Sequence, residues 1–309
     1  MKTMEHGQHH VVDASSASRS LKIVAWLQGA YFFFELAIGL WIGSVAVLAD
    51  AAHSLSTVGG VVIALVGARL ASRSKSTPSQ TFGLARAEII GSLCNGALLF
   101  VMAAFVLGLG VYRIFSPVEP PSFPMLIVAA GALVTETIAV KLLYKRQKES
   151  LNVRGAFIHI VQVFVGSIFI VIAALVIQFT GFVLIDPILA IIFSLTLFIM
   201  SWSVIRTSIN ILLERTPEEL DLPEMIKAIQ DIDGVVNVHH VHAWSLTSGK
   251  NLFSAHVKVE DYTRGENIQT EVHQMLVERF GIYFATTQIE TECTDIGRAT
   301  DIDLARSDS

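Results

Sequence analysis

The sequence predicts an α-helical membrane protein: six transmembrane helices followed by a small cytoplasmic α+β domain. Three observations lead there. Apolar runs at about 21–43, 45–70, 87–115, 123–143, 156–179 and 187–213 each reach the roughly 20 residues a helix needs to cross the hydrocarbon of a bilayer. Lys and Arg crowd alternate connections, which orients an even number of crossings. Beyond residue 213 the long apolar runs stop and short helical and strand patterns take over.

Composition and charge agree. Hydrophobic residues make up 52% of the chain, charged residues 16%, and the mean hydropathy is +0.58, which points to the membrane. A net charge of −5 lacks the basic surplus that a nucleic-acid partner requires. Cys94 in the third run and Cys293 near the chain end make no disulfide framework. Residues 1–20 are polar, carry His6, His9 and His10, and have no short apolar core of a cleavable signal. Arg19 and Lys22 precede the first run. Arg69, Arg73, Lys75 and Arg86 flank the second connection, and Lys141, Lys145, Arg146, Lys148 and Arg154 crowd the fourth. Arg206 and Arg215 close the sixth run, whereas the odd-numbered connections hold almost no positive charge besides Arg113. Both termini are therefore expected in the cytoplasm. The expected organisation is a tail at 1–20, a membrane domain at 21–213, a cytoplasmic domain at 214–291 and a loose tail at 292–309.

In the cytoplasmic domain, Asp221 and Glu224 with Pro223 between them form a capping-box start. The helix they open is expected to end near Gly234. Two strand-like runs, "VVNVHHVHAWSL" and "LFSAHVKVE", are joined by the turn residues "TSGKN". A helix over about 266–280, stopped by Gly281, and a last strand "ATTQIE" complete an αββαβ order, two helices on a three-stranded sheet.

Ionisable residues inside membrane spans are expensive and face the bundle interior or a wet cavity. Here they are Glu35 in the first span, Asp50 and His53 in the second, Glu88 in the third, Glu136 in the fourth and His159 in the fifth, with Asp186 at the entrance to the sixth. Neutral imidazole is the commonest metal ligand, so His53 and His159 matter most. A pair of buried histidines bonded to backbone or hydroxyls explains the same residues. Arg86 and Glu88 read as an interfacial ion pair or dimer contact, Asn95 as a helix–helix hydrogen bond, and Glu35 has no assignment.

Five stretches, "GSVAVLADAAHSLST", "FGLARAEIIGSLCN", "NVRGAFIHIVQVFVGS", "DPILAIIFSLTLFI" and "VHHVHAWSLTSGKNLFSAHVKV", resemble the cation diffusion facilitator family, zinc-transporter branch. The resemblance runs in order over about 19–290. It implies a transporter rather than an enzyme: a homodimer in a bacterial inner or plasma membrane. Such proteins export Zn²⁺ or a related divalent ion in exchange for protons, and carry a metallochaperone-like cytoplasmic domain.

The family's transport site is His-x-x-x-Asp on the second helix and again on the fifth, four residues placing both ligands on one helix face. The histidines match at His53 and His159. The carboxylates do not: Thr57 and Val163 stand at those positions. Two imidazoles alone would leave the +2 charge of a zinc ion unneutralised in the membrane. Carboxylates from elsewhere, Asp50 or Glu136, would restore the balance. Otherwise the site serves another ion, such as Cu⁺ with Cys94 as a third ligand, or the chain is a transport-deficient member acting as metal sensor or heteromeric partner.

Alternation of period two along "NVHHVHAW" sets His239 on one face with Val241, and His240 with His242 on the other. The resemblance places cytoplasmic metal ligands at His239, His256 and Glu290, a sensible zinc set. His240 and His242 are further candidates, and a solvated sheet face that happens to hold histidine is the alternative.

Overall fold

The computed structural model describes residues 14–73, 77–144 and 151–292; at some helical positions, Thr57 and His159 among them, only the backbone is described. His6, His9, His10 and Cys293 lie outside the described residues. The chain divides into two compact units, one built on residues up to 74 and 91–205, the other on 75–90 and from 206 onward.

The first unit is a helical bundle. Its helices are α1 (Ala14–Ile42), α2 (Val45–Arg73), α3 (Ala87–Phe115), α4 (Ser122–Tyr144), α5 (Leu151–Thr180) and α6 (Ile185–Leu212), the ends of α3 and α6 falling in the second unit. Among the described residues, all but α2 are long and apolar enough to cross a membrane, and α2 adds the apolar stretch Val45–Ser56. The chain is thus an integral membrane protein of the expected class. Along α5, Ile160, Val163, Ser167, Ile170, Ala173, Ala174 and Ile177 are buried, a stripe at three- and four-residue spacing. Opposite it α4 buries Val128, Ala129, Ala132, Glu136, Ala139 and Leu143. Alanines in these stripes let helices approach closely, as membrane packing favours.

Asp186, in the first turn of α6, has a structural job. Its carboxylate accepts from Ser44 Oγ (2.6 Å), from the Val45 amide (2.8 Å) and from the Ala46 amide (3.3 Å). These are the orphan donors at the start of α2, where an anion also meets the positive end of the helix dipole. Asn95 on α3 donates to the carbonyl and hydroxyl of Ser56 at 3.3 and 3.2 Å, the expected helix–helix bond.

The second unit holds α7 (Leu222–Gln230), β1 (Val235–Thr247), β2 (Lys250–Val259), α8 (Gly265–Phe280) and β3 (Phe284–Glu290), the expected αββαβ order. Asp221 caps α7 by accepting from the Glu224 amide at 3.0 Å. The helix stops at Gln230 rather than near Gly234, the chain turning through 231–234 into β1. The sheet order is β1-β2-β3, antiparallel between the first pair and parallel between the second. Leu222, Met225 and Ile229 of α7 and Ile268, Val272 and Leu276 of α8 bury one stripe each against Val238, Val241, Phe253, Ala255 and Val257. Gly281 ends α8 at φ +64°, the left-handed conformation glycine adopts without steric cost. Arg86 pairs with Glu214 (2.7 Å), and Glu88 accepts from Thr247 (3.2 Å), so these two residues bind separate partners and not each other.

Candidate metal centres

Within the bundle, Asp50, His53 and Ser54 stand at i, i+3 and i+4 on α2 and are all at most 1% exposed. Glu35 of α1 and Glu136 of α4 are equally buried. Ser167 of α5 links α4 to α2: its hydroxyl lies 2.7 Å from Glu136 Oε1 and 3.2 Å from Asp50 Oδ2. Ser54 donates to Glu35 Oε2 at 3.1 Å, and Glu35 and Asp50 are electrostatic neighbours. Three carboxyl groups from three helices therefore gather around Asp50, one turn from His53 along α2. The Glu35 and Asp50 carboxyls share a side-chain hydrogen bond, and Glu136 Oε2 receives none among the described residues. A buried acceptor left in this state is uncommon, because native structures satisfy nearly all such groups.

Two neighbours shape this cluster. Gly166 precedes the bridging serine, and a Cβ built there would lie 2.5 Å from Asp50 Oδ1, so any larger residue would displace the carboxylate from its present position. Phe193 of α6 meets the His53 ring edge-on at 5.7 Å between centroids and covers Gly166 from the other side. Val163 is buried on the same face of α5, so no acid stands at that position. The side chains of Thr57 and His159 lie outside those described. Cys94 is exposed on α3 whereas His53 is fully buried. Glu35 and Ser167 went unassigned from sequence; an acid inside an apolar run was the visible signal for the first, and nothing marked the second.

In the second unit, His239 Nε2 lies 2.9 Å from Glu290 Oε1, and His256 Nδ1 lies 3.4 Å from Glu290 Oε2. The three side chains present ligand atoms within 4.8 Å of one another. Strand register explains it. His239 pairs with His256 across the antiparallel ladder, and parallel pairing sets Glu290 beside Lys258, one pleat along β2. Gln288 donates to Glu290 Oε2 at 3.1 Å and steadies the carboxylate. Two imidazoles and a carboxylate are zinc-type ligands, and three of them leave one tetrahedral position open.

The face assignment of the other histidines needs correction. Val238 and Val241 both enter the core, three residues apart, because a β-bulge interrupts the alternation between His239 and His242. His239, His240 and His242 thus lie on the side away from that core, and Val241 opposite them. His240 takes φ +49°, the left-handed region, at a cost of about 1–2 kcal/mol for a residue with a Cβ.

A bundle of apolar helices enclosing acids and imidazole, followed by a small α+β domain in which His239, His256 and Glu290 could hold a metal ion, fits the class of membrane proteins that handle cations. Residues 21–213 match the cation efflux transmembrane domain and residues 217–292 the cation efflux protein cytoplasmic domain. The chain belongs to the cation efflux (cation diffusion facilitator) family. It is 34% identical over 273 residues to the metal cation efflux system protein CzcD of Cupriavidus metallidurans, covering 88% of this chain and 86% of that protein. It is 32% identical over 282 residues to a cadmium, cobalt and zinc/H(+)-K(+) antiporter of Bacillus subtilis, covering 89% and 90%. Zinc transporter ZitB of Yersinia pestis is 33% identical over 271 residues, covering 87% and 86%.

Proposed function

We propose that this chain is a proton-coupled efflux transporter of divalent metal cations, zinc first among them, whose transport site draws its negative charge from Asp50 and Glu136 instead of positions 57 and 163. The observation that carries this is the Ser167 bridge, which holds a buried Asp50 and a buried Glu136 together one helical turn from His53. Two carboxylates neutralise a divalent ion in a low-dielectric bundle; His53, with His159 as the second imidazole, supplies nitrogen. Glu35, hydrogen-bonded to Ser54, adds a third acid on the edge of the set. The names of the relatives, which speak of cadmium, cobalt, zinc and H⁺, support the cargo and the coupling. A homodimer with both termini in the cytoplasm, in a bacterial inner membrane, is the matching assembly. His239, His256 and Glu290 would bind zinc on the cytoplasmic side.

Proteoliposome flux with Zn²⁺, Co²⁺ and Cd²⁺ tests the transport reading. The parent should move at least one ion, and Asp50→Asn and Glu136→Gln should each reduce that flux at least tenfold. Flux untouched by both substitutions would exclude these acids from the site. A second reading is favoured by Val163 standing where α5 of the family carries an acid: a transport-deficient metal sensor or heteromeric partner. No flux of any ion above empty vesicles, with zinc still bound by the cytoplasmic domain, would select it.

A further inference from the structure

We propose that His240 is the fourth ligand of the cytoplasmic metal site, delivered by the β1 bulge, so that the site is closed by protein on all four corners. The inference rests on the reading of His239, His256 and Glu290 as metal ligands.

Register comes first. Between the pairs His239↔His256 and His242↔Ser254, β1 advances three residues while β2 advances two. The extra residue swings His240 out of alternation. In an unbroken strand its side chain would point to the face opposite His239; here its ring stands 5.3 Å from the His239 ring and 5.0 Å from the His256 ring, and the residue is 8% exposed. The strand holds a left-handed φ at a residue bearing a side chain to achieve this.

Ring geometry comes second. With Zn–N about 2.0–2.1 Å and about 1.1–1.2 Å from a ring nitrogen to the ring centre, two imidazoles at the tetrahedral angle have centres about 5.2 Å apart. The three observed separations are 5.0, 5.3 and, between His239 and His256, 5.4 Å. The separations match those of three imidazoles around one tetrahedral ion. His239, His256 and Glu290 already present their ligand atoms to one another. The His240 ring centre stands at the distance from both imidazoles that a further ligand of the set would keep.

The consequence is chemical. Three imidazoles and one carboxylate fill a tetrahedral shell, and closed shells of this kind hold structural or sensing ions, whereas a position left to water suits exchange or catalysis. The ion taken would be Zn²⁺, or Co²⁺ as its spectroscopic substitute; hard ions that prefer six oxygens would be refused.

The test uses the full-length protein in detergent with Co²⁺ as probe, reading visible d–d absorption and affinity. Subtracting the spectrum of His239→Ala from that of the parent isolates the cytoplasmic site. His240→Asn, which keeps a residue tolerant of left-handed φ, and His240→Gly, which removes the backbone cost, are the two test variants. Both should weaken cytoplasmic Co²⁺ binding at least tenfold and shift the tetrahedral d–d band as water replaces an imidazole at one corner. Parent-like affinity and spectrum in either variant, with His239→Ala still losing the site, would overturn the fourth ligand alone. A His239→Ala spectrum identical to the parent would overturn the metal site itself, and His240 with it.

Discussion

Replacing Gly166 by alanine should separate the position of Asp50 from its chemistry. The added Cβ would sit 2.5 Å from Asp50 Oδ1 and 2.8 Å from Phe193 Cζ. Carbon–oxygen contacts settle near 3.3–3.6 Å and carbon–carbon contacts near 3.5–4.0 Å, so each neighbour must retreat by roughly 1 Å. Neither has room: Asp50 is 1% exposed and held by Ser167, and the Phe193 ring is already set against His53. Crowding of this kind costs about 1–3 kcal/mol of stability, which a six-helix bundle survives. Displacing a functional group by about 1 Å costs on the order of 100-fold in rate, or about 2.7 kcal/mol. The variant should therefore remain monodisperse in detergent, lose a few degrees of thermal stability, and transport Zn²⁺ about 100-fold more slowly in proteoliposomes. Parent-like flux from a folded Gly166→Ala protein would show that the ion does not need the Asp50 carboxylate where it stands.

Two structural predictions accompany it. Asp186→Ala strips three donors of a buried charged acceptor and should destabilise the bundle by about 3 kcal/mol, read as a lowered unfolding midpoint in detergent; an unchanged midpoint would deny the cap its importance. Gly281→Ala meets no atom within 4 Å, so its cost is backbone conformation only, about 1 kcal/mol, and Gly281→Asn should recover part of it. Equal stability of all three proteins would show that the end of α8 relaxes out of the left-handed region.

Much of this was legible in the residues themselves. Six runs of about 20 apolar residues can only be helices when no water is available to the backbone, and Asp50, His53 and Glu136 stood out as ionisable groups inside those runs. That Ser167 would join Asp50 to Glu136 was not legible. It depends on which faces of α2, α4 and α5 meet, and serine is unremarkable in a membrane helix. Glu35 shows the same limit, since its partner Ser54 lies on another helix. The α+β order followed from turn residues and caps, but the face of His240 did not. Alternation assumes an unbroken ladder, and a bulge is a property of two paired strands. Asp186 was visible only as an acid at a helix entrance; its partners at Ser44, Val45 and Ala46 belong to a segment 140 to 142 residues earlier.

That separation has a bearing on biogenesis. The carboxylate that finishes the first turn of α2 is 142 residues downstream of Ser44, so at about 5–20 residues per second it leaves the ribosome roughly 7–28 s later. Until then the start of α2 has the Ser44 hydroxyl on the Val47 amide as a local substitute, and amides 45 and 46 await their acceptor. A nascent bundle that ends before α6 is expected to hold the helix carrying Asp50 and His53 without this cap. Arrival of α6 would supply the missing acceptor and fix the start of the helix that carries Asp50 and His53. Truncating the chain ahead of residue 186 should accordingly leave a protease-sensitive α1–α2 hairpin.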